Sequence, residues 1–332
     1  MKFLFYTLLA ATLLVGCRPK ESQPVEKRMK VILDTDANNE LDDQHAIAYL
    51  LFNADIFHIE GITVNRTRGG GDVDKQAEEA ERVVTLCGLV DKIAVIKGAN
   101  GNFNEIKDKL DSSSFDGQTA VNFIIEKSLQ ASEDKLILLP IGKLTNIALA
   151  LKKEPAIASR VRIVWLGSNY PESGEYNLEN DTTALNFILS TEVPFEMVTV
   201  RYGKPSGTDA VRASLDEIRK RMPGKGPHLE TPVQGRHEKQ FTSFGDYSVD
   251  LFEHIDLHGD PPSRALFDMA AVAIVKNATW ADTVRVPAPL YINNEWIERP
   301  GNKRSILIWE NFKKDNIMHD FYNRMEHYQV NP

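Results

Sequence analysis

Apolar runs of strand length alternate with helical periodicities through the first two-thirds of the chain. MKVILDTD (29–36), FHIEGITV (57–64), KIAVIKG (92–98), KLILLPIG (135–142), RVRIVWLG (160–167) and FEMVTV (195–200) read as strands. Between them, LDDQHAIAYLLFNA (41–54), DVDKQAEEAERVVTLCG (72–88), GQTAVNFIIEKSLQAS (117–132), LTNIALALKKE (144–154) and TTALNFILST (182–191) read as helices. The strands are almost continuously apolar, as a sheet covered on both faces requires. Repeated β-α units predict an α/β fold, a doubly wound, mostly parallel sheet with helices on both faces. After residue 203 the pattern loosens, and GKGPHLETPVQGRHEKQFTSFGDYS (224–248) is rich in Gly, Pro, His and polar residues. A long segment of this sort in a compact domain predicts a lid or binding loop. Helical periodicity returns at LFDMAAVAIVKNA (266–278), followed by strands in TVRVPAPLYIN (283–293) and SILIWEN (305–311) and a last helix in 313–328. The organisation expected is one domain over 29–332 with a lid-like insertion around 204–260.

The chemistry concentrates where the first strand meets the first helix. Asp34, Asp36, Asp42 and Asp43 fall within VILDTDANNELDDQ. In an open parallel sheet, ligands bind outside the carboxyl ends of the strands. Asp34 and Asp36 stand at such an end, and Asp42 and Asp43 open the next helix. Helix capping accounts for one of the latter pair but not for all four aspartates. Clustered carboxylates raise one another's pKa unless a cation compensates. A set of hard oxygens without paired Cys or His favours Ca²⁺ or Mg²⁺ over zinc. A phosphatase of the haloacid-dehalogenase type also begins with Asp-x-Asp after a strand. That pattern wants Thr or Val where Asn38 stands, and it leaves Asp42 and Asp43 without a task.

The start of the chain changes the cellular picture. MKFLFYTLLAATLLVGC (1–17) has a lysine, a short apolar stretch and small residues before Cys17. It reads as a secretory signal over 1–16 rather than a membrane span. The Leu-Val-Gly-Cys ending resembles a bacterial lipobox, which implies cleavage before Cys17 and acylation of its thiol. Residues 17–28 read as a polar tether. The expected address is the bacterial cell envelope, lipid-anchored on the periplasmic side or in the outer membrane. With Cys17 acylated, Cys87 is left without a disulfide partner and reads as a packed small hydrophobe. The 39 basic and 47 acidic residues give a formal net charge of −8 with no basic stripe, which argues against a nucleic-acid polymer as partner.

Several blocks in order resemble the inosine-uridine-preferring nucleoside hydrolases. They are DTD and LDD, then IEGITV, IKGAN, FDG, PIGKLTNIALAL, NYPESGEYNLEND and LFDMAAVAI, spanning roughly residues 30 to 280. The resemblance implies a calcium-dependent enzyme that hydrolyses the N-glycosidic bond of small-molecule ribonucleosides to free base and ribose with a calcium-bound water. It implies Ca²⁺ on Asp36, Asp43, Asp268 and the carbonyl of Ile141. Asp36 would also deprotonate the water, supported from behind by Asp34. Asp42, Asn169, Glu175 and Asn177 would hold the ribose.

Two departures stand out. The linker ANNE between the aspartate pairs is two residues longer than the family's Pro-Gly. Phe267 stands where pyrimidine-cleaving members carry a histidine that protonates the leaving base. Phe267 can stack on a base, which implies a preference for purine nucleosides. Histidines 45, 228, 237, 254 and 258 are the alternative proton donors. A calcium-dependent ribosyl-binding lipoprotein without turnover is the alternative function, and homo-oligomerisation is left open. If Cys17 carries the anchor, Cys17→Ser should move a folded protein from the membrane fraction to the soluble envelope fraction. Recovery of the unaltered chain in the cytoplasm would contradict the targeting.

Overall fold

The computed structural model describes residues 28–130 and 134–330. The signal segment, Cys17 and all of the tether but Arg28 lie outside them. Strands β1 (Met29–Thr35), β2 (Phe57–Val64), β3 (Val95–Lys97), β4 (Leu136–Pro140), β5 (Val161–Ser168) and β6 (Phe195–Thr199) join two later strands, Asp282–Pro287 and Ser305–Glu310, in one eight-stranded sheet. Its order is 282–287, 305–310, β6, β5, β4, β1, β2, β3. Every neighbouring pair is parallel except 282–287 against 305–310, which closes one edge antiparallel.

The near-continuous apolar runs are explained by how the pleat divides them. Val31, Leu33, Ile137, Leu139, Val164 and Leu166 enter the core on one face, with α1 (Leu41–Leu51), α2 (Val73–Leu86) and the helix Phe267–Lys276. Ile32, Leu136, Leu138, Ile163 and Trp165 enter the other, with the helices Gln118–Leu129, Thr145–Lys153 and Thr182–Leu189. Successive side chains point to opposite faces, so both must be apolar. The order runs outward in both directions from the β1–β4 pair. That pair is the topological switch point, where the helices that follow β1 and β4 part and leave a crevice at the strand ends.

The late strands differ from the sequence expectation. TVRVPAPLYIN is not one strand. Pro287 and Pro289 remove two ladder donors, and the sheet strand ends at Pro287. Leu290–Ile292 instead folds back on Glu295–Ile297 through Asn293 and Asn294, whose φ angles of 53° and 62° suit asparagine in a tight hairpin turn. The third strand also shrinks to Val95–Lys97.

Between 204 and 260 the chain forms the helices Leu215–Arg221 and Phe244–Glu253 and a two-stranded hairpin, Val233–Gln234 with Gln240–Phe241. Phe244, Tyr247 and Phe252 are fully buried in the same apolar cluster as α1. Phe252 meets His45 of α1 edge-on at 5.4 Å. Cys87 is buried in that cluster too. Phe252→Ala should therefore lower global stability by about 3–5 kcal/mol in urea unfolding. A loss under about 1 kcal/mol would show that this helix is peripheral to the core.

Candidate functional site

The crevice at the β1–β4 switch point is a cavity of about 620 Å³, lined by Asp36, Asp42, Asp43, Ile141, Asn169, Glu175, Asn177, Phe267 and Asp268 among others. Asp34 lies beneath it, fully buried at the end of β1. The residues that the resemblance assigns to the metal, the water and the ribose thus lie at one place.

Local structure explains the convergence. β1 ends at Thr35, and Asp36 starts a turn in which the Asn39 N–H returns to the Asp36 carbonyl at 2.8 Å. Glu40 is the N-cap of α1, but its carboxylate caps nothing and pairs with Arg264. Asp42 and Asp43 fill the first turn of α1, while Asp268 fills the first turn of the helix Phe267–Lys276. The positive ends of two helix dipoles therefore face one cluster of carboxylates.

Asp42, Asp43 and Asp268 each offer an oxygen, and these oxygens lie within 4.8 Å of one another. Asp36 adjoins this group rather than sharing its tightest part, and its charge raises the pKa of both Asp43 and Asp268. Exposures of 1% for Asp36, 7% for Asp42, 2% for Asp43 and 3% for Asp268 keep water from screening them. Two charges about 4 Å apart repel by roughly 4 kcal/mol at an effective dielectric of about 20. A helix terminus returns only about 0.3–2 kcal/mol per charge. Without a cation the carboxyls must hold protons. Burial above all, and then the neighbouring carboxylates, push Asp36 and Asp42 up to about 7. Asp43 and Asp268 rise well above the usual carboxylate range for the same reasons.

A divalent cation fits this cluster. Asp268 Oδ1 is buried and has no hydrogen-bond partner. The donors are hard oxygens from carboxylates, as Ca²⁺ and Mg²⁺ require. The Ile141 carbonyl accepts Asn177 Nδ2 at 2.8 Å and keeps a second lone pair. Gly142 is needed beside it, because a Cβ there would stand 2.7 Å from Asp36 Oδ1.

Donors that the sequence reading missed hold the carboxylates in place. Thr35 Oγ1 donates to Asp43 Oδ1 at 2.5 Å, and Thr67 Oγ1 donates to Asp36 Oδ2 at 2.6 Å. Asp34 accepts from Thr63 (2.6 Å), Asn65 (2.9 Å) and Asn146 (2.8 Å). Burial outweighs these bonds and lifts Asp34 to about 6. Thr63 and Asn65 stand at the carboxyl end of β2, next to β1, so the strand-end rule that singled out Asp34 could have found them.

The sugar-holding candidates carry structural work as well. Asn169 braces its loop, with Nδ2 donating to Ser173 O and Oδ1 accepting from Tyr202 N, both at 3.1 Å. Glu175 caps the helix Tyr176–Asn180 by accepting from the N–H groups of Asn177 (3.0 Å) and Leu178 (2.8 Å). Burial nevertheless raises Glu175 to about 8. Arg264, which also lines the crevice, pairs with Glu40.

Of the histidines, His258 is the only one among the described residues lining the cavity. His45 is buried between Leu41 O and Ser248 Oγ. His228 bonds Gly224 O, while His237 and His254 stack beside Asp250.

A parallel, doubly wound sheet with a carboxylate-lined crevice at its switch point defines a ligand-binding α/β class with a built cation site. The model of the inosine-uridine preferring nucleoside hydrolase family matches residues 31–310, and the chain belongs to that family. It is 25% identical over 292 residues to the inosine-uridine preferring nucleoside hydrolase of Leishmania major, covering 80% of this chain and 84% of that protein. A putative pyrimidine-specific ribonucleoside hydrolase of Shigella boydii is 36% identical over 85 residues, covering 24% of this chain and 35% of that protein. The match thus spans about a third of that relative's length. The solved purine-preferring ribonucleoside hydrolase of Gardnerella vaginalis has the same fold, with a TM-score of 0.64, 20% identity and coverage of 89% of this chain and 98% of that one.

The raised carboxyl pKa values carry a stability consequence. Unfolded carboxyls titrate near about 4. Between there and pH 7–8 the metal-free folded state binds more protons than the unfolded state, so its stability falls as pH rises. Metal-free protein should therefore lose thermal stability from pH 5 to pH 8, and added Ca²⁺ should raise Tm most at pH 8. A metal-free Tm that is flat or rising over this range, with no response to Ca²⁺, would contradict the cluster's electrostatics.

Proposed function

We propose that the protein hydrolyses the N-glycosidic bond of ribonucleosides with Ca²⁺ as its cation, cleaving purine nucleosides better than uridine. The observation that carries this reading is the buried group Asp42, Asp43 and Asp268, with Asp36 beside it and an unpartnered Asp268 oxygen, in a crevice that also presents Glu175 and Asn177. Asp36, Asp43, Asp268 and the Ile141 carbonyl would hold the ion. When bound, calcium polarises water and anchors sugar hydroxyls.

The chain's own groups supply the rest. Asp36 takes a proton from the attacking water, with Oδ2 fixed by Thr67 so that the carboxylate cannot rotate away. Asp42, Glu175 and Asn177 orient the ribose. As the C1′–N bond lengthens, positive charge builds on the sugar ring, and the surrounding carboxylates stabilise it. Holding water and sugar together supplies orientation that free solution lacks. Phe267 offers a stacking face but no proton, which favours the larger purine ring. An anchor at Cys17 would place this activity at the cell envelope.

A panel of nucleosides with Ca²⁺, assayed for released reducing sugar, tests the reading. Inosine should give a higher kcat/KM than uridine, and Asp43→Ala should lose both calcium and turnover. Ribose binding without release of base would replace the enzyme with a ribosyl-binding protein.

A further inference from the structure

Phe267 leaves the departing base without a proton-bearing neighbour at that position. Most donors that line the crevice are committed. The Tyr176 hydroxyl accepts the Gly69 N–H at 2.7 Å and faces Thr67 Oγ1 at 3.3 Å. Arg68, Arg212 and Arg264 are paired with Glu179, Asp209 and Glu40. His258 Nε2 lies 3.2 Å from Arg264 Nη1, and a guanidinium only donates, so that nitrogen is an acceptor.

Tyr202 is different. It follows β6, on the same strand-end rim as the aspartates. Its backbone is fixed on both sides, because its own N–H donates to Asn169 Oδ1 and the Gly203 N–H donates to Asp209 Oδ2 at 2.7 Å. Its ring meets Phe267 edge to face, with centroids 5.9 Å apart and planes at 86°. The residue is still 47% exposed, so much of the ring is open to a ligand. No acceptor among the described residues takes its hydroxyl hydrogen. Burial of the phenol, and next the negative field of Glu175, hold it in its protonated form.

We propose that Tyr202 meets the leaving base. Its ring and that of Phe267 make a two-sided aromatic wall, and its O–H donates a hydrogen bond to an acceptor on the base edge as the C1′–N bond breaks. This rests on the nucleoside-hydrolase reading above. It deepens that reading by assigning the hydrogen-bond donor that meets the leaving base. The step balances without transfer from the phenol. The oxygen of water bonds to C1′ and its proton goes to Asp36. The electron pair of the C1′–N bond goes to the base, which takes its proton from solvent. The phenol stabilises the charge arriving on the base and keeps its own hydrogen.

The test compares two substrates in the full chain loaded with calcium. Inosine has a poor leaving group. p-Nitrophenyl β-D-riboside has one that leaves without a hydrogen bond. Y202F should lower kcat/KM for inosine on the order of tenfold more than for the nitrophenyl riboside, as loss of one hydrogen bond to a developing charge requires. Calcium content should be unchanged. Y202A should lose further on inosine, because the ring goes too. Equal losses on both substrates would make Tyr202 a structural residue and overturn the proposal. A Y202F protein as active on inosine as the unaltered chain would overturn it as well. If the unaltered chain cleaves neither substrate, the hydrolase reading itself fails and takes this proposal with it. If the unaltered chain is active, only the assignment of Tyr202 is at stake.

Discussion

Four carboxylates buried in one crevice repel each other, and that repulsion organises everything around them. Asp36, Asp42, Asp43 and Asp268 are almost wholly withdrawn from water. Neither two helix dipoles nor a few hydroxyl donors offsets several pairwise repulsions of roughly 4 kcal/mol each. The cluster is stable only if it holds protons or a cation. The remaining features of the crevice are the means by which the fold tolerates this arrangement. Helix termini point at the charges, threonines grip one oxygen of Asp36 and of Asp43, and three side chains ring Asp34. Gly142 yields the space that Asp36 occupies.

The sheet sets this up by topology alone. The β1–β4 pair is where strand order reverses, so the loops after β1 and β4 diverge and open a crevice. β1 delivers Asp34 and Asp36, and β4 delivers the Ile141 carbonyl. β5 and β6 deliver Glu175, Asn177 and Tyr202 on the loops that follow them. Only Phe267 and Asp268 arrive from a distant part of the sequence, on a helix packed against α1. Fold and chemistry are therefore linked: an aspartate cluster of this kind needs two helix starts and several strand ends at one point.

Much of this was legible in the sequence. β1, β4, β5 and β6 carry apolar runs that the pleat divides between two cores, and that pattern is strong in a single chain. The aspartate cluster was visible because β1 and α1 are adjacent, so Asp34, Asp36, Asp42 and Asp43 fall in one short stretch. Asp268 was reached through the family resemblance, since no local signal marks its partner 225 residues earlier in the chain. Thr67, Asn146 and Arg264 were invisible as site residues, because their side chains are brought in by neighbouring strands and helices. Asn169 and Glu175 lie on the crevice as expected, but their loop-bracing and capping bonds depend on three-dimensional partners. The hairpin at Asn293 and Asn294 was masked by a run of apolar residues around two prolines, where the signal for a break is the missing N–H rather than polarity.

The central claim is that a cation replaces protons in the carboxylate cluster. Titrating the metal-free chain with Ca²⁺ in weakly buffered solution, while recording proton release, tests it most directly. Asp36 and Asp42 sit near pH 7 in the metal-free protein, and Asp43 lies well above the usual range. Binding at pH 7 should therefore expel protons. The release should shrink towards pH 9, where the carboxyls ionise without help. Tight binding with no proton release at pH 7, or an affinity that does not change with pH, would contradict the account.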